Sequence, residues 1–293
     1  MTTTVPGSHA QLLSDALTLR ALDLVSSGTT DMASEVLRVP LSYYRDPEVL
    51  ERERHEILER SPMALAPTAQ VPRPHDYTVR EVLGRSVLIS RGADGVARAF
   101  LNYCRHRGAR PAEGCGSARR FACPYHAWTY DSAGQLVGIP GQDGFTGIDP
   151  TEHGLIELPS EERHGFVWVV LTAGAPMDLD AHLGPLDAEL ASWNYDTYGY
   201  LTEREFDSQV NWKNALEAFA EGYHFPYVHG DSVIGQNTVA NTSTHDVFGR
   251  HHRMGFPFNW IGLLADDPTA DRNPKANMGL IYWIYPNLVL ANS

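Results

Sequence analysis

Four residues in the first half of the chain have the types and spacing of metal ligands. Cys104 and His106 form a Cys-x-His pair, and sixteen residues further on Cys123 and His126 form a Cys-x-x-His pair. Thiolate together with neutral imidazole suits zinc or an iron–sulfur cluster. A zinc finger usually places two cysteines on one turn and two histidines on the other, whereas here each turn lends one of each. The third cysteine, Cys115, stands between the pairs without a partner, so the cysteines are too few for a disulfide scaffold and their clustering points to metal. A second set lies in Asn211–His229, where Glu217, Glu221 and His224 fall at i, i+4 and i+7 and are expected on one helical face. Pro226 is expected to kink or end that helix and let His229 swing back toward His224. Two histidines and a carboxylate with open positions make a mononuclear non-haem Fe(II) site.

Positioning these groups requires two kinds of scaffold. Residues 11–25 show apolar spacing of a helix, and Asp46-Pro47 reads as a helix start running to about Arg60 before Ser61-Pro62. From Pro62 to about Leu171 short β-rich runs alternate with turn residues: Ser86–Ser90, Ala97–Tyr103, Phe121–Cys123 and Phe166–Leu171. This is the texture of a small antiparallel β domain, and the Cys/His pairs fall on its turns. Beyond it come an acidic helical stretch at 177–193, a strand-like run at 200–210, a helix from Asn211, and strands of a second sheet within 278–290.

Paired turns that each give one sulfur and one nitrogen match a Rieske [2Fe–2S] centre, in which one iron takes two thiolates and the other two imidazoles. The segments Asn102-Tyr103-Cys104-Arg105-His106-Arg107-Gly108-Ala109 and Cys123-Pro124-Tyr125-His126-Ala127-Trp128-Thr129-Tyr130 closely resemble the Rieske domain of ring-hydroxylating oxygenase α subunits. The Glu221-x-x-His224-x-x-x-x-His229 segment after Asn-Trp-Lys resembles the mononuclear-iron motif of that family. The resemblance runs from about Tyr43 onward. It implies an α+β chain: an N-terminal arm (1–40), a Rieske-type antiparallel β domain (41–173), and a partial helix-grip (START/Bet v 1-like) antiparallel-sheet catalytic domain (174–293). It further implies a cluster on Cys104, His106, Cys123 and His126, iron on His224 and His229, and Glu221 as the acid bridging His224 to His126 of a neighbouring subunit. The activity implied is that of a terminal oxygenase, which uses O2 to hydroxylate, dihydroxylate or demethylate a small organic, by the family's habit aromatic, substrate. The partners implied are a ferredoxin or an NAD(P)H-dependent flavin reductase, within a homotrimer or α3β3 assembly.

Departures from the family pattern are specific. Ala127 replaces the usual glycine, Glu221 the usual aspartate, and Ala218 the usual asparagine. The carboxylate that completes the iron site comes, in the family, from a later helix. This sequence is therefore read as C-terminally incomplete, with Asp246, Asp266, Asp267 and Asp271 taken as solvated loop acids rather than ligands. The rival readings are a Rieske electron carrier, which the Asn211–His229 segment argues against, and an inactive oxygenase fragment.

Composition sets the outer limits. With 36 acids against 23 bases, the net charge of −13 disfavours nucleic acid and anionic membranes as partners. No apolar run approaches membrane-spanning length and the N-terminus has no signal-peptide pattern, so a cytoplasmic location is expected. Nucleotide-binding glycine motifs are not visible, which means electrons must come from another protein. Arg105, Arg107, Arg110, Arg119 and Arg120 gather around the Cys/His pairs, where they could face an acidic donor or simply pair with local acids. Asn241-Thr242-Ser243 is read as a plain loop, and His251-His252 as surface residues.

Overall fold

Along the strand Arg85–Arg91 every residue after the first is buried, because successive side chains leave opposite faces of a sheet that has core on both sides. Val87 and Ile89 join Ala97, Ala99, Leu158, Val167 and Val169 in one apolar cluster. Leu88 and Phe100 turn the other way, into a cluster with Cys104, Phe121, Cys123, Trp128, Tyr130 and Leu136. The sheet between them orders its strands as Cys115–Ser117, Asp76–Val82, Arg85–Arg91, Ala97–Leu101 and Glu157–Leu158, all antiparallel. Two three-stranded sheets accompany it: Met63–Pro67, Phe166–Val169 and Ser160–Arg163, and Arg120–Ala122, Thr129–Asp131 and Leu136–Gly138.

These elements form one of two compact units in the computed structural model, which describes residues 13–267 and 269–292. That unit comprises Glu51–His182 with Leu190–Glu205, and the other comprises the described parts of Met1–Leu50, Leu183–Glu189 and Phe206–Ser293. The second unit is built on an antiparallel sheet of Thr244–Phe248, His251–Pro257, Met278–Ile284 and Leu288–Asn292. Phe225, Met254, Phe256 and Ile281 make its core cluster. Gly279 permits the closest packing there, since a Cβ would lie 2.1 Å from the ring of Phe256 on the paired strand.

The α+β class and the strand-rich first domain follow the sequence reading, but several local expectations are corrected. The N-terminal segment is not a separate arm: helix Asp15–Ser27 buries Leu17, Thr18 and Ala21 and packs on strand His251–Pro257. Gln11 and Leu12, also assigned to that helix, lie outside the described residues. The acidic stretch divides into helices Leu179–Leu183 and Leu186–Ala191, with Gly184 and Pro185 between them as breakers. The strand expected at 200–210 does not form. No neighbouring strand meets its backbone, and Leu201 and Phe206 are left exposed. Among the described residues no helix is long and apolar enough to cross a membrane.

Candidate metal centres

The two Cys/His turns repeat one hydrogen-bond frame. In the first, the Cys104 N–H donates to the Ala109 carbonyl and the Gly108 N–H to the Cys104 carbonyl, both at 2.8 Å. In the second, Cys123 N–H donates to Trp128 and Ala127 N–H to Cys123, again at 2.8 Å. The fifth position of each turn is left-handed, with φ of +76° at Gly108 and +56° at Ala127. This is the position where the family's glycine is replaced, so Ala127 adopts a conformation that costs an L-residue about 1 kcal/mol. The frames differ only in where the histidine sits, third at His106 and fourth at His126. The first turn is also anchored from behind, since Asn102 is fully buried and its Nδ2 donates to Ser86 Oγ and the Ala112 carbonyl.

Cys104 and Cys123 are buried free thiols, and the rings of His106 and His126 face each other at 4.6 Å between centroids. The buried Nδ1 of His106 has no hydrogen-bond partner, which is the expected condition of a nitrogen reserved for metal. Desolvation, helped by the charges of His126 and Arg107, lowers the pKa of His106 and favours the neutral, metal-binding form. The Tyr130 hydroxyl accepts from the Arg105 N–H at 2.9 Å and donates to Cys104 Sγ at 3.3 Å. Its pKa is raised by burial and by that sulfur, so the phenol keeps its proton and can donate. Among the described residues no three or more His, Cys, Asp and Glu side chains gather to hold one metal ion. A binuclear cluster does not need that, because each iron takes two protein ligands and shares the inorganic sulfides. The donor set therefore fits a [2Fe–2S] group.

The two ligand rings differ in exposure. Trp128 stacks almost parallel on His106, at 5.1 Å and 11°, and Phe145 meets both rings edge-on. His126 is exposed and is stacked at 3.9 Å by Tyr125, itself 60% exposed. Cys115 lies exposed on a strand paired with Asp76–Val82 and has no disulfide.

In the second unit Asn211 caps helix Trp212–Glu217 by accepting the Lys213 N–H, and its Nδ2 donates to the Tyr44 carbonyl at 3.0 Å. The expected continuous helix through His224 is not formed. Its ladder ends at Ala218, whose N–H bonds Asn214, and beyond a turn through Ala220 the Glu221 carboxylate takes the N–H groups of Tyr223 and His224 in a local turn of its own. Pro226 begins a new short helix, Phe225–Val228, rather than ending an old one. Glu221 still meets His224, through Oε1 against Nδ1, and His229 closes on His224 with ring centroids 5.2 Å apart. With Nδ1 engaged, His224 presents Nε2 to a metal. Glu217 turns away from both histidines and accepts from the Tyr44 hydroxyl at 2.9 Å. The pair supplies two of the three donors of a facial triad, and no third is assembled among the described residues.

Two other readings are revised. His251 is buried, with Nδ1 accepting from the Tyr285 N–H, and His252 stacks on His245 with their ring nitrogens 3.1 Å apart. Asp246 is fully buried rather than solvated, held by Arg20 at 2.9 Å and Arg253 at 2.8 Å. Sequence reasoning gave no role to Tyr130 or His245. Strand parity at Thr129–Asp131 carried the signal that Tyr130 points inward. His245 lines a cavity of about 380 Å³ together with Asp31, Glu221, Tyr223, Phe225 and Phe256.

Two family models match the chain: the Rieske [2Fe-2S] domain over residues 61–155 and the ring hydroxylating alpha subunit catalytic domain over residues 191–291. The chain is 32% identical to the glycine betaine monooxygenase oxygenase subunit of Chromohalobacter salexigens, over 76% of this chain and 52% of that protein. It is 29% identical to the carnitine monooxygenase oxygenase subunit of Escherichia coli K12, over 68% and 54%. Biphenyl 2,3-dioxygenase subunit alpha of Rhodococcus jostii is 33% identical, over 62% and 41%. The chain thus spans about half the length of the curated relatives it matches. In fold it is similar to the quaternary ammonium Rieske monooxygenase CntA solved with L-carnitine, with TM-score 0.74 and 22% identity over 96% of this chain and 71% of that one. Naphthalene 1,2-dioxygenase from Rhodococcus sp. gives a TM-score of 0.72 at 23% identity, over 96% and 69%.

Proposed function

Since the chain belongs to the Rieske oxygenase α subunits, we propose that it is the terminal oxygenase part of such an enzyme, oxidising a small organic substrate with O2 and electrons delivered by a separate donor protein. The observation that carries this reading is the coexistence of two donor sets of different kind: a buried sulfur pair facing a histidine pair, and a second histidine pair held by Glu221. An electron carrier has no use for the second set.

Cys104, His106, Cys123 and His126 would hold the cluster, and His224 and His229 would hold iron. When bound, these groups supply one-electron storage and O2 activation. The chain's own residues do the rest. Tyr130 donates to Cys104 Sγ and stabilises its negative charge, while Trp128 and Phe145 keep water from His106. Glu221 fixes the Nδ1–H form of His224 and, through the exposed side of its carboxylate, provides the place for His126 of a neighbouring subunit in a trimer or α3β3 assembly. The exposure of His126 and Tyr125, and of Tyr223, Tyr227 and Val228 around Glu221, supports that hand-off between copies. The donor in this reading is a ferredoxin or a flavin reductase, and the location is cytoplasmic.

For the substrate, the cavity that reaches Glu221 favours an organic cation over the aromatic compound suggested by family habit. Its wall combines the Glu221 carboxylate with the rings of Tyr223, Phe225 and Phe256, a setting that attracts a substituted ammonium, while Asp31 is paired with Arg20. The names of the betaine and carnitine relatives agree with that choice. The test is oxygen uptake by metal-loaded protein with a reducing system, screened against quaternary amines and aromatic acids. Iron beyond two per chain with amine-stimulated uptake is expected. Two irons and no uptake with either class would return the chain to the carrier or inactive-fragment reading.

A further inference from the structure

Putting O2 onto an organic substrate consumes two protons along with two electrons, whether one oxygen atom or both end on the product. Such an enzyme needs a proton path as well as an electron path. We propose that His252, His245 and Ser243 are that path, a proton relay running along one face of the second unit's sheet into the cavity beside Glu221. The relay rests on the oxygenase reading above and adds to it a source of protons.

The three side chains are joined without a gap. His252 Nε2 lies 3.1 Å from His245 Nδ1, and His245 Nε2 lies 2.9 Å from Ser243 Oγ. The rings are near-parallel, at 15°, and offset so that their nitrogens approach each other. Ser243 and His245 line the cavity of about 380 Å³ that also reaches Glu221, Tyr223 and Phe256. At the outer end His252 is partly exposed and pairs in register with Val247, itself 42% exposed, and with Trp283. Strand parity puts His245, Val247, His252, Met254 and Phe256 on one surface, while Asp246 and Arg253 turn to the other. The inner end is pinned by the N-terminal segment: Asp31 N–H donates to the Ser243 carbonyl and Ser243 N–H to Thr30 Oγ1, both at 3.0 Å.

A histidine kept for structure is ordinarily fixed in one tautomer by a carboxylate or carbonyl, as Glu221 fixes His224. Among the described residues no carboxylate bonds either ring of this pair. Asp31 takes the backbone N–H of His245 and is paired with Arg20, and Asp246 is held by Arg20 and Arg253. The rings bond only each other and a hydroxyl, and both kinds of partner can donate or accept. Burial lowers the pKa of both, so at neutral pH each holds one N–H and one bare nitrogen. In the transfer a solvent proton joins His252 Nδ1, the proton on His252 Nε2 passes to His245 Nδ1, and that on His245 Nε2 passes to Ser243 Oγ. The hydroxyl releases its own proton into the cavity. Both rings finish neutral in the other tautomer, no electron moves, and rotation of the rings resets the pair. A substrate that fills the cavity displaces its water, and a path built into the wall stays open when the protons are needed.

In metal-loaded protein His252→Ala should lower kcat by about 100-fold, the low end of what a positioned proton-transfer group contributes, with KM for a quaternary amine unchanged. Its solvent deuterium isotope effect should rise above the wild-type value. Added imidazole should restore most of the variant's rate and give wild type no gain. Ser243→Ala, which keeps both rings, should raise the isotope effect in the same way but gain nothing from imidazole. A second measurement needs neither turnover nor a variant that folds: 15N NMR of histidine-labelled wild type with zinc in place of the mononuclear iron. The facing nitrogens of His245 and His252 should resonate between the positions of protonated and bare nitrogen, the mark of two exchanging tautomers. One frozen tautomer in both rings would overturn the relay. So would a His252→Ala variant with wild-type kcat and isotope effect, or one whose lost rate imidazole does not repair. Tautomer exchange in a protein that consumes no oxygen with any substrate would keep the relay and remove only the oxygenase reading.

Discussion

Between Cys104 and Trp128 the candidate ligands sit on two turns built on one repeated hydrogen-bond frame, with both sulfurs buried beneath aromatic rings. Between Asn211 and His229 they sit on a chain that breaks from one short helix into another, with Tyr223, Tyr227 and Val228 each at least 70% exposed. The first region is held by backbone bonds that need no metal to form. The second is organised by one carboxylate, Glu221, which caps the local N–H groups and steadies His224. The difference matches the demands on each centre. A group that stores an electron works best when its ligands move little between oxidation states, while one that must admit O2 and substrate needs open positions and room around them.

Substitutions can break or sharpen this contrast. The largest effect is expected from His106→Ala, which should abolish the visible absorption of the cluster and remove two irons per chain while the second region keeps its iron. Retention of the spectrum would refute the ligand assignment. Glu221→Ala should do the reverse: both metals stay, but turnover falls by about 100-fold. Single-turnover oxidation of the reduced cluster would then stall, and unimpaired oxidation would remove the bridge.

Acid should separate the regions further. Burial, aided by the neighbouring His245, depresses His252 to about 4, against 6.5 for the free side chain. Between those values the unfolded chain binds more protons, so stability is complete above about pH 6.5 and falls as pH drops toward 4, by on the order of 2 kcal/mol. Thermal melts across this range should show that loss, and His252→Asn should reduce it, leaving the part due to His245, which burial also lowers. The smallest effect is expected at the stiff end of the comparison. Ala127→Gly relieves a left-handed residue while adding freedom to the unfolded chain, so a net gain of about 0.5 kcal/mol is expected from denaturant titration. A loss would show that the methyl contributes packing to the turn.

What could be read in advance followed the range of the interactions. The Cys-x-His and Cys-x-x-His turns were legible because their chemistry is written within a few residues, and the buried strand Arg85–Arg91 because its apolar run is unbroken. The i, i+4, i+7 spacing of Glu217, Glu221 and His224 suggested a helix, but the helix ends at Glu217 and Glu221 bonds the local N–H groups beyond it, a competition between side chain and backbone that periodicity does not reveal. The run at 200–210 was read as strand-like, but it has no partner strand among the described residues. Asp246 was misread for a different reason: Arg20 is 226 residues away, and Arg253, though near in sequence, comes opposite it only through the hairpin register.

That distant pairing sets a condition on shortening the protein. Arg20 and Arg253 together hold three acids, Asp31, Asp246 and Glu189, the last two almost wholly withdrawn from solvent. Deleting the leading helix would leave more negative charge without a cation inside the second unit, a cost that adds to the loss of the apolar packing of Leu17 and Ala21. A trimmed version that begins near residue 51 would therefore keep every strand of the first unit and its two Cys/His turns while destabilising the second unit.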